Sequence, residues 1–308
     1  MIKLLITDLD DTLYSWIGFF IPAFYEMVNE LSSILKKDKK ELLREYKLVH
    51  QEKGSVEYPY ATTHLPSVQA AYPNYTQKEL LKILDPVFHR FNSSRKKNLR
   101  LYPNVQDTLT ELWESGVRIV GYTESAEENG FYRLRKLGID NLFCKVYVSD
   151  SQYENPNSMV LSEKTEVVHG KKPAPELLEQ ICKSECISTS EAIYVGDSLT
   201  KDIYMAKIAH ITSILCKYPC DPRIVQELYQ KLVAISHWTA IDFEQEQKLK
   251  EICLKDNIQP DYTITSFDNV IKIVQELNET DINPPAELGK LADASSDKQS
   301  PRIKTPVV

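Results

Sequence analysis

The chain opens with a short apolar run, Ile2 to Thr7, that shows little alternation, and polarity begins abruptly at Asp8. A run of this kind predicts a strand buried on both faces, as in a parallel sheet. From Phe20 the period changes. Phe20, Phe24, Met27, Val28, Leu31, Ile34 and Leu35 recur at intervals of three and four, which marks an amphipathic helix. Helical spacing continues through Lys40–Gln51 and Gln77–Phe91, while Ser55 to Pro73 is rich in Tyr, Pro and Thr and reads as loop. Between residues 18 and 100 no strand pattern is found, so the block is predicted to be all-helical.

Beyond it, strands and helices alternate. Helices are predicted at Val105–Glu114, Glu127–Leu137, Pro175–Cys182, Leu199–Ala209 and Phe267–Leu277. Strands are predicted at Val117–Tyr122, Cys144–Val148, Ala192–Val195, Ile211–Leu215 and Tyr262–Thr265. Gly116 and Gly138 follow two of the helices, where a C-cap favours glycine. This alternation predicts an α/β fold, a three-layer, doubly wound parallel sheet, carrying an inserted all-helical cap. Two stretches interrupt it. Residues 149–170 are long and polar and read as a mobile loop. Residues 216–257 read as an extra helical insertion, with Ile224, Leu228, Leu232 and Ile235 at helical spacing. The expected organisation is a core of residues 1–14 and 102–277, a cap of residues 15–101, and a disordered tail of residues 278–308.

Composition narrows the function without naming it. The net charge of −7 and the pI near 5.5 argue against a general nucleic-acid or membrane-surface binder, which would need clustered Lys and Arg. The run Lys36–Lys40 reads as a solvated helix end. The opening apolar run is too short for a signal peptide, and no stretch reaches the ~20 apolar residues of a membrane helix, so the expected location is the cytoplasm. Cys182/Cys186 and Cys216/Cys220 are each four apart, but no His or Cys follows at zinc-finger spacing. They read as reduced thiols.

The chemistry lies in four polar clusters, each at the end of an apolar strand or the start of a helix: residues 8–13, 119–125, 170–176 and 195–202. In an open parallel sheet such positions collect in one crevice. Asp8, Asp10, Asp197 and Asp202 would then crowd into one cleft and raise one another's pKa. A hard divalent cation, Mg2+ above all, would relieve that repulsion through oxygen ligands. Asp8 and Asp10, two apart on an extended strand end, can divide the work of nucleophile and general acid/base. Thr123 can donate to a phosphoryl oxygen, and Lys172 can supply positive charge.

With these residues in view, the chain resembles the haloacid dehalogenase superfamily. Asp8-Leu9-Asp10-Asp11-Thr12-Leu13 after a buried strand matches its first signature, Thr123 its second, Lys172 before Pro173 its third, and Gly196-Asp197 with Asp202 its fourth. The resemblance implies a Mg2+-dependent phosphatase that forms an aspartyl-phosphate on Asp8, with Asp10 as general acid/base. It implies metal ligation by Asp8, the Asp10 backbone carbonyl and Asp197, with Asp202 as a further ligand or as a partner that supports one. Thr123, Glu124 and Lys172 would contact the substrate, Glu124 standing where the family commonly has Asn. The expected partner is a small phosphorylated molecule, of nucleotide or sugar-phosphate type, with oligomeric state left open. The alternatives are a phosphomutase or other reaction on the same site, and a regulatory or binding protein that keeps the fold.

Overall fold

A computed structural model describes residues 1–150 and 163–282, with side chains described through Glu279. Its centre is a parallel sheet of seven strands among the described residues. They are β1 (Leu4–Thr7), β2 (Arg118–Ala126), β3 (Lys145–Ser149), β4 (Thr165–Val168), β5 (Ala192–Gly196), β6 (Thr212–Cys216) and β7 (Tyr262–Ile264). Their spatial order is β4-β3-β2-β1-β5-β6-β7. β1 pairs with β2 on one side and β5 on the other, so the order reverses at the strand that leads into Asp8. A reversal of this kind opens a crevice at the carboxyl ends of the strands.

Side chains leave a strand alternately to its two faces, and both faces of this sheet are covered. Leu4 and Ile6 join Val120, Leu178 and Met205 on one face, under α9 (Pro175–Ser184) and α10 (Tyr204–Ile208). Leu5 joins Ile119, Ile193, Leu109, Leu134 and Val270 on the other, under α7 (Val105–Glu114), α8 (Glu127–Leu137) and α13 (Asn269–Ile282). Burial on both faces explains why Ile2–Thr7 shows no alternation in sequence.

The apolar cluster of the second face continues into the helices between β1 and β2: α1 (Trp16–Leu35), α2 (Lys39–Lys53), α3 (Ala61–His64), α4 (Pro66–Ala71), α5 (Gln77–Ile83) and α6 (Asp85–Asn98). The apolar stripe of α1 buries Phe20, Phe24, Val28 and Leu31, with α6 packed along it. α1 starts at Ser15, whose hydroxyl accepts from the Gly18 amide at 3.1 Å. Between β6 and β7 stand α11 (Pro222–Val233) and α12 (Ala240–Lys255). No helix among the described residues is long and apolar enough to cross a membrane.

The structure amends the sequence reading in four places. Within Ser55–Pro73, read as loop, Ala61–His64 and Pro66–Ala71 form the short helices α3 and α4. Within residues 149–170, read as a mobile loop, Thr165–Val168 forms the edge strand β4, a four-residue run too short to show a period. Residues 151–162 of that stretch lie outside the described residues. Helix α13 runs to Ile282, past the expected start of the tail at 278, and residues 283–308 lie outside the described residues. The helix read at Leu199–Ala209 is two elements, a π-helical turn over Leu199–Ile203 and then α10. That turn shapes the site.

Candidate active site

Asp8 follows β1, and its backbone amide donates to the Val195 carbonyl of β5 at 2.8 Å, so the strand pairing is carried into the crevice. Its Oδ2 accepts from Thr12 Oγ1 at 3.1 Å, and Lys172 Nζ donates to Oδ1. Asp11 then takes a left-handed φ of 57°, a conformation that Asp tolerates better than most residues. The chain turns there and returns as α1.

Two local irregularities bring the other strand ends in. The β2–β3 register shifts between Tyr122 and Ala126, and this is where Thr123, Glu124 and Ser125 lie. The π-helical turn after Ser198 brings Asp202 back over β5. A Cβ on Gly196 would lie 2.5 Å from Asp202 Cγ, so only glycine admits this approach. Asp202 accepts three hydrogen bonds: Oδ1 from Lys172 Nζ and Tyr194 Oη, each at 2.8 Å, and Oδ2 from the Ser198 amide at 3.0 Å.

Carboxylate oxygens of Asp8, Asp197 and Asp202 all lie within 4.8 Å of one another. Burial raises the Asp8 pKa well above the usual carboxylate range; Lys172 opposes this, and Asp202 and Asp197 add to it. Asp197, open to solvent on its outer side, is pushed up to about 8 by desolvation in the cleft and by the charges of Asp202 and Asp11. Burial works against the charge on Lys172, and Asp202 and Asp8 outweigh it. With all three ionised, three carboxylates against one ammonium would leave a surplus of two negative charges. An all-oxygen donor set with that surplus fits a hard divalent cation, with Asp8, Asp197 and Asp202 as the side chains that could hold it.

Asp10 faces elsewhere. Arg133 donates to its Oδ1 at 2.7 Å, and Ser125 Oγ to its Oδ2 at 2.8 Å, with Thr123 Oγ1 at 3.4 Å. The other arm of the same guanidinium donates to Glu57, which also accepts from Trp16 Nε1 at 3.0 Å. Arg133 is 3% exposed and lies over the Phe19 ring at 5.2 Å. A buried cation thus joins Asp10 to Glu57, on the segment that follows α2. Glu124 lines the cleft and pairs with Lys201 Nζ at 2.6 Å.

Of the residues singled out from sequence, Asp8, Lys172, Asp197 and Asp202 form one cluster, while Asp10 and Thr123 form a second set beside it. Sequence reasoning missed Arg133, Glu57, Ser125 and Tyr194. Arg133 sits among other charged residues on α8, Glu57 in a loop and Tyr194 in an apolar strand, so none carries a local signal. Ser125, two residues from Thr123, could have been found by the period of a strand.

A cavity of about 830 Å³ lies over both sets. Besides the core residues it is lined by Trp16, by Gln51 and residues 53–57, and by side chains of α11, α12 and the segment between them.

Carboxylates and a lysine gathered at the carboxyl ends of a parallel sheet define a hydrolase-type site, and the comparisons with known proteins agree with that class. A family model described as haloacid dehalogenase-like hydrolase matches residues 5–216, and the chain belongs to that family. The chain is 26% identical over 278 residues to a glyceraldehyde 3-phosphate phosphatase of Methanocaldococcus jannaschii, covering 90% of this chain and 99% of that protein. A protein of the same name from Methanopyrus kandleri is 27% identical over 217 residues, covering 70% of this chain and 83% of that one. The fold is similar to that of a 2-haloacid dehalogenase from Pseudomonas syringae pv. Tomato DC3000, with a TM-score of 0.54 at 20% identity, over 90% of this chain and 99% of that chain.

Proposed function

We propose that this hydrolase of phosphoric monoesters works by a two-step displacement with Asp8 as nucleophile and Mg2+ as cofactor. The observation that carries the reading is Lys172, which joins Asp8 to Asp202 at the strand ends while Asp197 stays within 4.8 Å of both. Asp8 Oδ attacks phosphorus, the ester P–O bond breaks, and Asp10, protonated once it leaves its pair with Arg133, delivers its proton to the leaving oxygen. An aspartyl-phosphate forms. Asp10, now a base, takes a proton from water, which attacks phosphorus and releases phosphate and free Asp8. Lys172 and Thr123 stabilise the charge on the phosphoryl oxygens. Asp8, Asp197, Asp202 and the Asp10 carbonyl would hold Mg2+, which supplies charge neutralisation for nucleophile and phosphate.

In this reading residues 15–101 serve as a cap over the core, and Arg133 keeps Asp10 in register with it through Glu57. The substrate is a small phosphomonoester of sugar-phosphate or nucleotide type. The relatives named as glyceraldehyde 3-phosphate phosphatases support the sugar-phosphate side of that range. The test is hydrolysis of an aryl phosphate with Mg2+ by the wild type and by Asp8→Asn. A loss on the order of 10³-fold or more is expected for the variant, and equal rates would remove Asp8 from the nucleophile's role.

A further inference from the structure

The cavity extends well beyond the carboxylates, and its volume of about 830 Å³ is in the range of sites that enclose a ligand larger than a phosphate. Its far wall comes from α11, α12 and the segment joining them, and this wall is anchored on both sides. Toward the core, Thr200 Oγ1 donates to Glu246 Oε1 of α12 at 3.0 Å. Toward the helical block, Tyr25 Oη donates to the Lys231 carbonyl at 3.1 Å, Lys47 Nζ to that of Val233 at 3.2 Å and Gln51 Nε2 to that of Trp238 at 3.3 Å. The buried His50 bonds the Ile235 carbonyl through Nδ1 at 2.7 Å. The block therefore grips the backbone of the wall and leaves its side chains free to face the cavity.

Those side chains include an aromatic pair among polar and acidic neighbours such as Thr239, Asp242 and Gln245. Trp238 and Phe243 stand edge to face with centroids 5.3 Å apart, and both line the cavity. Phe243 is 43% exposed, a large apolar surface left open beside a polar site. Next to them His237 lines the cavity with its Nδ1 buried and without a hydrogen-bond partner among the described residues. A buried polar atom of that sort is costly until a donor or acceptor reaches it.

We propose that this wall receives the organic part of the substrate, and that this part is a flat aromatic ring with a polar edge, as in a nucleoside monophosphate. The ring packs on Trp238 and Phe243, its polar edge lies toward His237, and the phosphate lies at Asp8 and Lys172. Aromatic faces offset or edge-on to one another are the favoured contacts of such rings. The assignment rests on the phosphomonoesterase reading above and narrows it. A three-carbon phosphate has no ring to cover these side chains and leaves His237 unmet.

The test compares AMP, glucose 6-phosphate and glyceraldehyde 3-phosphate on the full chain with Mg2+. In Trp238→Ala and Phe243→Ala, kcat/KM for AMP is expected to fall about tenfold more than for glyceraldehyde 3-phosphate, the scale of one lost base–aromatic stack. Trp238→Phe should restore most of the difference, which a misfolded wall would not allow. A parallel calorimetric titration of AMP and of inorganic phosphate uses Asp8→Asn with and without Trp238→Ala. The added substitution should weaken AMP about tenfold more than phosphate. Equal losses for all three esters, or a selective loss for glucose 6-phosphate, would overturn the assignment. Equal hydrolysis by wild type and Asp8→Asn would overturn the nucleophile alone, and the binding ratio would still decide this inference.

Discussion

At the sheet end of the cleft, Asp8, Lys172 and Asp202 are buried, and each is met by a side chain from another element. At the opposite end, Trp238 is half-buried, Phe243 is exposed, and His237 Nδ1 has no hydrogen-bond partner among the described residues. The two ends answer to different demands. In the proposed mechanism phosphoryl transfer needs fixed charges at fixed places, and the residues assigned to it come from strand ends and are held by several bonds each. Recognition of the organic group needs surface, and the residues proposed for it come from helices and a connecting segment. The contrast also predicts how each end responds to damage: substitutions at the sheet end should cost both rate and stability, and those at the far end should change selectivity.

The largest effect is expected at Lys172. Lys172→Ala leaves Asp8 and Asp202 facing each other without their shared cation. Breaking a buried pair in this way costs roughly 3 to 5 kcal/mol, and the rate should fall on the order of 10³-fold. Denaturant unfolding and aryl phosphate hydrolysis measure the two losses. If stability were unchanged, the sheet end would not be the rigid end. Next comes Arg133→Ala, which strips the cation from both Asp10 and Glu57. We expect a loss of about 3 kcal/mol and a lower kcat on every substrate alike. A loss confined to AMP would move Arg133 to the selectivity end.

The third prediction concerns the cation. Asp197 has a folded pKa of about 8 against an ordinary 3.8, so the folded state holds its proton more tightly than the unfolded one. Its contribution to stability is fully present below pH 3.8 and is lost as pH rises through 8. If Mg2+ binds the deprotonated cluster as proposed, the gain in Tm on adding Mg2+ should be larger at pH 9 than at pH 6. At a concentration of 100 times Kd the stabilisation is about 2.7 kcal/mol. A gain independent of pH would separate the cation from these carboxylates.

The smallest effect is expected at His50, which ties the far wall to α2. Burial holds it neutral, with its pKa lowered to about 4 from 6.5. The unfolded state therefore binds the proton first, and stability is fully present above pH 6.5 and declines as pH falls toward 4. The slope attributable to His50 is at most about 1.4 kcal/mol per pH unit. His50→Gln should flatten it in unfolding curves taken between those pH values.

Much of this architecture was legible in the chain. Ile2–Thr7 reads as a doubly buried strand because burial on both faces removes alternation, and β1 is found there. The period of three and four from Phe20 reads as a helix because one stripe of α1 is buried. β4 was not legible, since four half-buried residues carry no period. The role of residues 216–257 was not legible either, although their helices were. An apolar spacing such as Leu228 and Leu232 says that a face is covered or presented, and not what stands opposite.

By itself the sequence determined the order of strands and helices and the polar residues that close each strand, because periodicity and the abrupt change from apolar to charged are properties of neighbours along the chain. The tertiary structure alone decided that Arg133 reaches Asp10 and Glu57 at once, that Asp202 turns back over Gly196, and that Trp238 and Phe243 share a cavity with Asp8. These are contacts between residues far apart in sequence, set by which strand lies beside which and by one irregular turn. Such contacts depend on shape and burial, which no local pattern of residue types encodes.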